Sequence, residues 1–413
     1  MVDRRLPRPS ELRELLRPAP FVLDGVERRL AGAATIADLR ELARRRAPRA
    51  VFDYTDGAAG EGELSLLRAR ETFGRLRFNP SVLHDVSAVS TATTILGRPS
   101  PLPFALAPTG FTRLMHTEGE RAVVSVAEEV GIPYALSTLG TTTIEQMAEA
   151  GPGARRWFQL YIWRDRGPAT ELIKRALDAG YDTLMLTVDT PVAGARLRDV
   201  RNGMSIPPRL SLRTFVDGAL HPRWWFDLLT TEPLTFANLA STDGTVAELI
   251  NRVFDPALTM DDVRWLRSVW PGSLVIKGIQ SAADARRVVD AGADGVLLSS
   301  HGGRQLERAP VPLELVPSVV AAVGGRAQVL VDTGIMNGGD IVAALALGAD
   351  AALVGRAYLY GLMAGGRRGV ARAVEILTSE VLRTMQLLGV TSVGELKPSH
   401  VTLRTEHPRL DLE

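Results

Sequence analysis

From about residue 100 onward, short apolar runs alternate with segments whose apolar positions recur every three or four residues. The first pattern predicts buried strands and the second predicts amphipathic helices packed against them. Eight runs read as strands: 103–108 (PFALAP), 133–137 (PYALS), 157–162 (WFQLYI), 182–188 (DTLMLTV), 274–278 (LVIKG), 295–300 (GVLLSS), 328–332 (QVLVD) and 351–355 (AALVG). Between them, EGERAVVSVAEEVG, ATELIKRALDAG, SAADARRVVDAG and GDIVAALALGA read as helices, most closing on a glycine suited to a C-cap.

Near-continuous apolar strands need cover on both faces, so eight of them joined by helices predict an α/β fold, a (β/α)8 TIM barrel. An open, doubly wound sheet is the alternative. Residues 1–100 are expected to form an N-terminal extension of helices and loops packed on the barrel, 101–395 the barrel, and 396–413 a C-terminal tail. The interval 197–272, rich in Pro, Arg and aromatics, is expected as an inserted loop after the fourth strand.

Composition adds boundaries. With 413 residues, 46% hydrophobic and 23% charged, the chain can bury one large core. Its 48 basic and 47 acidic residues give no argument for nucleic-acid binding. The absence of cysteine excludes disulfides, thiolate metal sites and cysteine nucleophiles, and fits a cytoplasmic protein. The N-terminus lacks a signal-peptide core, and no stretch approaches the ~18 apolar residues of a membrane-spanning helix.

In a barrel, chemistry collects at the C-terminal ends of the strands. Unusual polar and bend residues stand there on all eight: Pro108, Thr109 and Gly110; Ser137; Gln159 and Tyr161; Thr187 and Asp189, with Arg196 beyond; Lys277; Ser299, His301 and Arg304; Asp332, Thr333 and Gly334; Gly355 and Arg356. The segment LLSSHGGRQLE (297–307) could by itself be a polar turn that holds a histidine. VDTG and VGR, on the last two strands, pair tight bends with one arginine, where barrels bind phosphate. Gln159, Thr187, Ser137 and Lys277 suit a flat polar heterocycle. Arg196, Arg304, Tyr161 and His301 suit a small carboxylate with a reacting hydroxyl. Together these suggest a flavin mononucleotide (FMN) enzyme acting on a hydroxy acid, with no metal.

The motifs FDYTDGAAGEGELSL, LAPTGF, FQLYIWRDR, LTVDTPVAGARLRDVRNG, VIKGI, SSHGGRQLE and LALGADAALVGR follow one another across roughly residues 36–403. In these the chain resembles the FMN-dependent α-hydroxy-acid oxidising family. MHTEGE and HPRWWFDLLTTEPL resemble its respiratory L-lactate dehydrogenase branch. The resemblance implies that Tyr54, Tyr161, Arg196 and Arg304 hold the substrate and that His301 is the base. His301 would take the hydroxyl proton as hydride passes to flavin N5, or the α-proton by a carbanion route. Lys277 would sit near flavin N1 and the C2 carbonyl, Gln159 and Thr187 at the pyrimidine edge, with Ser137 and Ser299 adding contacts. Asp332, Gly334, Gly355 and Arg356 would address the ribityl chain and phosphate. Asp189, just before a proline turn, is expected to pin that turn. His84, His116, His221, His400 and His407 are expected to be structural or surface residues.

Three departures stand out. Ser300 replaces the family's usual Asn beside the histidine. Met336 replaces an arginine that assists the phosphate, which shifts that load to Arg356 and to backbone amides around Asn337, Gly338 and Gly339. Gly110 stands where glycolate-type oxidases tend to carry alanine, and argues against a fast peroxide-forming oxidase. Leu139 and Ala193 are the expected specificity positions.

The expected activity is oxidation of an L-2-hydroxy acid, foremost L-lactate to pyruvate, with electrons passed to quinone or another carrier. Segment 221–236, with Trp224 and Trp225 either packed or membrane-facing, is expected to rest peripherally on the inner face of the cell membrane. A homotetramer is expected from the resemblance. The alternatives are an oxidase or monooxygenase using O2, a non-redox FMN isomerase, and an inactive barrel scaffold.

Overall fold

In a computed structural model of the chain, the residues described are 5–15, 23–163, 165–202, 219–239 and 254–404. Parts of the expected 197–272 loop, and of the C-terminal tail with His407, lie outside them. Eight strands form the centre: β1 (Phe104–Leu106), β2 (Tyr134–Ser137), β3 (Arg156–Leu160), β4 (Thr183–Thr187), β5 (Ser273–Ile279), β6 (Gly295–Leu298), β7 (Gln328–Val331) and β8 (Ala351–Val354). Each lies parallel to the next in chain order, and β8 returns to pair with β1, Ala352 opposite Phe104. The sheet is a closed (β/α)8 barrel, which overturns the open doubly wound alternative.

Closure follows from what fills the bore. Trp157, Met185, Val275, Leu297, Leu330 and Leu353 interdigitate with the small Ala105, Ala135 and Ala351 in one buried cluster. Each large side chain so buried contributes about 1.5–3 kcal/mol. A hairpin (Thr93–Ile95 with Arg98–Ser100) plugs the N-terminal end. Its Ile95 and Leu96 join the bore cluster, and the Leu96 amide donates to Gln328 Oε1 at 2.6 Å. Only the opposite, C-terminal end remains for a ligand.

The N-terminal helices cover that end and the flank of the barrel. Helix Ile36–Arg46 starts in a Thr35/Asp38 capping box and lays Ile36, Leu39 and Ala43 against the long final helix, Arg356–Leu388. Helices Arg49–Asp56 and Leu64–Gly74 reach the mouth. There the Ala59 amide donates to the Gly303 carbonyl (2.9 Å) and Ser65 Oγ donates to the Leu306 carbonyl (3.0 Å). Strand Leu76–Phe78 pairs antiparallel with Val401–Leu403, tying the N-terminal extension to the last of the described residues.

Candidate active site

Beyond β6 the chain turns through three consecutive left-handed residues, His301, Gly302 and Gly303, with φ of 58°, 65° and 76°. A Cβ on Gly302 would lie 2.7 Å from Arg356 Nη1, and one on Gly303 would lie 2.8 Å from the Leu66 amide nitrogen, so both glycines are required. His301 carries its side chain in this conformation at a cost of about 1–2 kcal/mol. Hydrogen bonds hold it there. The His301 amide donates to Ser299 Oγ (3.0 Å), while Thr333 Oγ1 accepts from the amides of Ser300 and Gly302 (3.2 Å each). Thr333 in turn donates to Asp332 Oδ1 at 2.8 Å. Ser300 is thus anchored through the Thr333 side chain.

His301 Nδ1 lies 3.1 Å from Asp189 Oδ1. Asp189 is seated by Gly278, where a Cβ would come within 2.6 Å of its own, and by Gln305 Nε2, which donates to its carbonyl at 3.0 Å. Expected to pin a turn, the Asp189 side chain instead meets the imidazole. Burial alone would raise its carboxyl pKa, but His301 and Lys277 hold it below the ordinary value. Burial, then the Lys277 charge, pushes His301 down, with Asp189 opposing. At neutral pH the pair is therefore a carboxylate beside a neutral imidazole, Nδ1–H donating and Nε2 left as an acceptor.

Facing it are the cations. Arg304 Nη1 donates to the carbonyls of Tyr54 (2.5 Å) and Gly57 (3.0 Å). The Tyr54 ring stacks on both guanidinium groups, at 5.0 Å from Arg304 and 5.7 Å from Arg196. Burial, reinforced by Arg196, lowers Arg304 to about 10. These two half-buried cations stand side by side, with Asp199 Oδ2 3.7 Å from Arg196 Nε, and suit an anionic ligand. Tyr161 is buried edge-on to Phe254 (5.1 Å), and burial keeps its phenol protonated. These groups line one cavity of about 490 Å³, within the range of small-molecule sites. Leu139 lies in its wall; Ala193 is exposed and does not.

Along the strand ends runs a buried polar row. Gln159 Oε1 accepts from Ser137 Oγ (3.0 Å) and its Nε2 donates to Thr187 Oγ1 (2.9 Å). Lys277 Nζ donates to Ser299 Oγ (3.0 Å) and stands 3.7 Å from Asp332 Oδ2. Pro108, Thr109 and Gly110 complete this wall. A Cβ on Gly110 would press on Leu139, 3.2 Å from its Cβ and 3.3 Å from its carbonyl oxygen.

At the far end, part of the expected phosphate site is already hydrogen-bonded within the protein. The amides of Met336 and Asn337 are taken by Asp340 Oδ2 (2.8 and 3.3 Å), and that of Gly338 by Glu380 Oε2 (2.8 Å). The Asn337/Asp340 capping box and Glu380 thus satisfy these three amides. Arg356 lines the cavity and spends three of its five N–H donors on the carbonyls of Thr55 (2.9 Å), Gly302 (2.8 Å) and Gly57 (2.7 Å). Beside it is the N-terminus of helix Arg356–Leu388, for which Gly355 provides no side-chain cap. Beside Met336, Arg70 reaches in from helix Leu64–Gly74 to the Gly334 carbonyl and to Asp340 Oδ2 (2.6 Å). Neither Arg70 nor the Asp189 contact stood out in the sequence. Asp189 met the same strand-end criterion as its neighbours; Arg70 had no such signal.

A buried polar row beside a lysine, ending at an uncapped helix N-terminus, fits a flavin ring with a phosphate tail. The family model for FMN-dependent dehydrogenases matches residues 43–403. A Mycobacterium tuberculosis protein named "Putative L-lactate dehydrogenase" is 60% identical over 97% of both chains. The L-lactate dehydrogenase of Caulobacter vibrioides is 40% identical over 88% of this chain and 96% of its own. Among solved structures, the monotopic membrane protein (S)-mandelate dehydrogenase superposes with a TM-score of 0.87 at 39% identity, covering 90% of this chain and all (100%) of that one. The chain belongs to the FMN-dependent dehydrogenase family.

Proposed function

We propose that the protein oxidises an L-2-hydroxy acid, foremost L-lactate, to the 2-oxo acid. One observation carries this reading: His301, backed by Asp189, shares a cavity with Arg196, Arg304 and the polar row. The names of the relatives support the substrate class. FMN, when bound, supplies the two-electron sink that turns the Cα–OH into a carbonyl. Gln159, Thr187, Ser137 and Lys277 would hold its ring, and the N-terminus at Gly355, with Arg70 near, its phosphate. Arg196 and Arg304 grip the carboxylate and so fix which face of Cα is presented. Tyr161, a phenol at all ordinary pH, donates a hydrogen bond to the substrate oxygens. His301 Nε2 takes a substrate proton, and Asp189 stabilises the imidazolium that results. Lys277 holds a fixed positive charge where negative charge would grow on the ring.

The acceptor we propose is a quinone met at a membrane surface. Support comes from the likeness to a monotopic enzyme and from the exposed Leu220, Phe226 and Leu229 in and just before helix Pro222–Leu229. Among the described residues, no helix is long and apolar enough to cross a membrane. The test is anaerobic addition of L-lactate to the yellow holoenzyme. Rapid bleaching, reversed by a soluble quinone faster than by air, is expected. Flavin left oxidised by L-lactate, L-mandelate and glycolate alike would refute the assignment.

A further inference from the structure

A second cavity, of about 200 Å³, lies between the N-terminal helices and helix Pro222–Leu229, sharing only Met115 with the catalytic cavity. Among the described residues, Arg45, Arg46, Arg113 and Arg223 line it against a single carboxylate, Asp227. Arg29 stands near enough to Arg46 and Arg223 for their charges to repel; burial, then these neighbours, lowers the pKa of both Arg29 and Arg46. The Nε of Arg46 and the Nε and Nη2 of Arg29 are buried with no hydrogen-bond partner among the described residues. A buried donor of this kind is costly until an acceptor reaches it. Arg45 is paired with Glu41 at 3.2 Å and Arg113 donates to the Glu232 carbonyl at 2.7 Å, while Asp24 caps helix Gly25–Ala31 and pairs with Arg368 at 2.6 Å.

What borders the cavity is as telling as what lines it. Trp224 Nε1 donates to the Leu114 carbonyl (3.0 Å), which fixes helix Pro222–Leu229 on the body. Its outer face presents Phe226 and Leu229, 66% and 74% exposed, with Leu220 at 76% just before it. Cations in a recess beneath an apolar lip match a molecule with an anionic head and hydrocarbon tails. A soluble anion would explain the recess but not the lip.

We propose that this recess binds the phosphate of an anionic phospholipid, with Arg46 and Arg223 as its principal grips and Leu220, Phe226 and Leu229 among the acyl chains. This extends the membrane-surface part of the function proposed above; substrate oxidation does not depend on it, so the anaerobic bleaching test and the following one fail separately.

The experiment is co-sedimentation of the FMN-loaded enzyme with vesicles of phosphatidylcholine alone or mixed with phosphatidylglycerol. The parent protein is expected to bind the mixed vesicles at least about ten-fold more tightly, and the difference is expected to shrink with salt. Arg223→Gln, at an exposed position, and Arg46→Gln should each weaken binding roughly five-fold. Flavin absorbance and dye-coupled L-lactate turnover should be unchanged in both. Equal binding to both vesicle types, or undiminished binding by the double variant, overturns the proposal. If inorganic phosphate raises the melting temperature of the parent but not of the double variant, and no vesicles bind, the recess is a site for free phosphate and the lipid assignment falls.

Discussion

His301 Nδ1 and Asp189 Oδ1 meet at 3.1 Å across 112 residues of chain. The carboxylate orients the ring and stabilises its protonated form, so removing its charge should slow proton transfer more than it disturbs folding. Asp189→Asn is expected to lower kcat by about 10²-fold or more, with the flavin spectrum intact. An unchanged kcat would remove Asp189 from the mechanism.

The same pair sets the pH profile. Burial and Lys277 hold His301 below its usual value of 6.5, and the unprotonated ring is the working form. On the acid side activity is therefore lost as pH falls through that lowered value, and the acid limb of kcat/KM should lie below 6.5. Asp189 opposes the shift, so in Asp189→Asn the limb should move to lower pH still. A limb moving upward would contradict the electrostatics.

Arg304 is lowered to about 10, so its grip on a carboxylate should fail as pH climbs through that value, raising KM. A lysine in the same burial beside Arg196 would lose its proton earlier. Arg304→Lys should raise KM for L-lactate by roughly ten- to a hundred-fold near neutrality, with a steeper rise toward alkaline pH than in the parent. Steady-state kinetics against pH would decide it.

Gly302 and Gly324 offer a matched comparison. Both are left-handed, φ 65° and 60°, but a Cβ at Gly302 meets Arg356 Nη1 at 2.7 Å whereas at Gly324 nothing lies within 4 Å. Gly324→Ala should lose only the backbone preference, about 1 kcal/mol. Gly302→Ala should lose more and also weaken FMN retention, because Arg356 must shift. Thermal unfolding with flavin fluorescence would separate the two.

The barrel was legible because its strands are short apolar runs ending in polar residues, a pattern set by burial on both faces. The catalytic end was legible for the same reason, since His301, Lys277 and Gln159 each terminate such a run. Asp189 was misread because Asp-Thr-Pro is also a turn sequence, and only the fold brings His301 to it. The phosphate end held one further signal. Asn337 and Asp340 are spaced as a capping box, which marks the Asn337 amide as already satisfied. Arg70 could not be found, because its approach to Gly334 joins positions 264 residues apart.

Arg356 gathers carbonyls from Thr55, Gly57 and Gly302, bonds that span 301, 299 and 54 residues. The mouth of the site is therefore closed by a residue that leaves the ribosome late, after every strand of the barrel. A nascent chain stalled just short of it holds His301, Asp189 and both substrate arginines, with Arg304, Ser65 and the Ala59 amide, but not Arg356, to draw the extension over them. The full set of bonds that closes the mouth becomes available only near the end of synthesis, and contacts of such long reach form slowly.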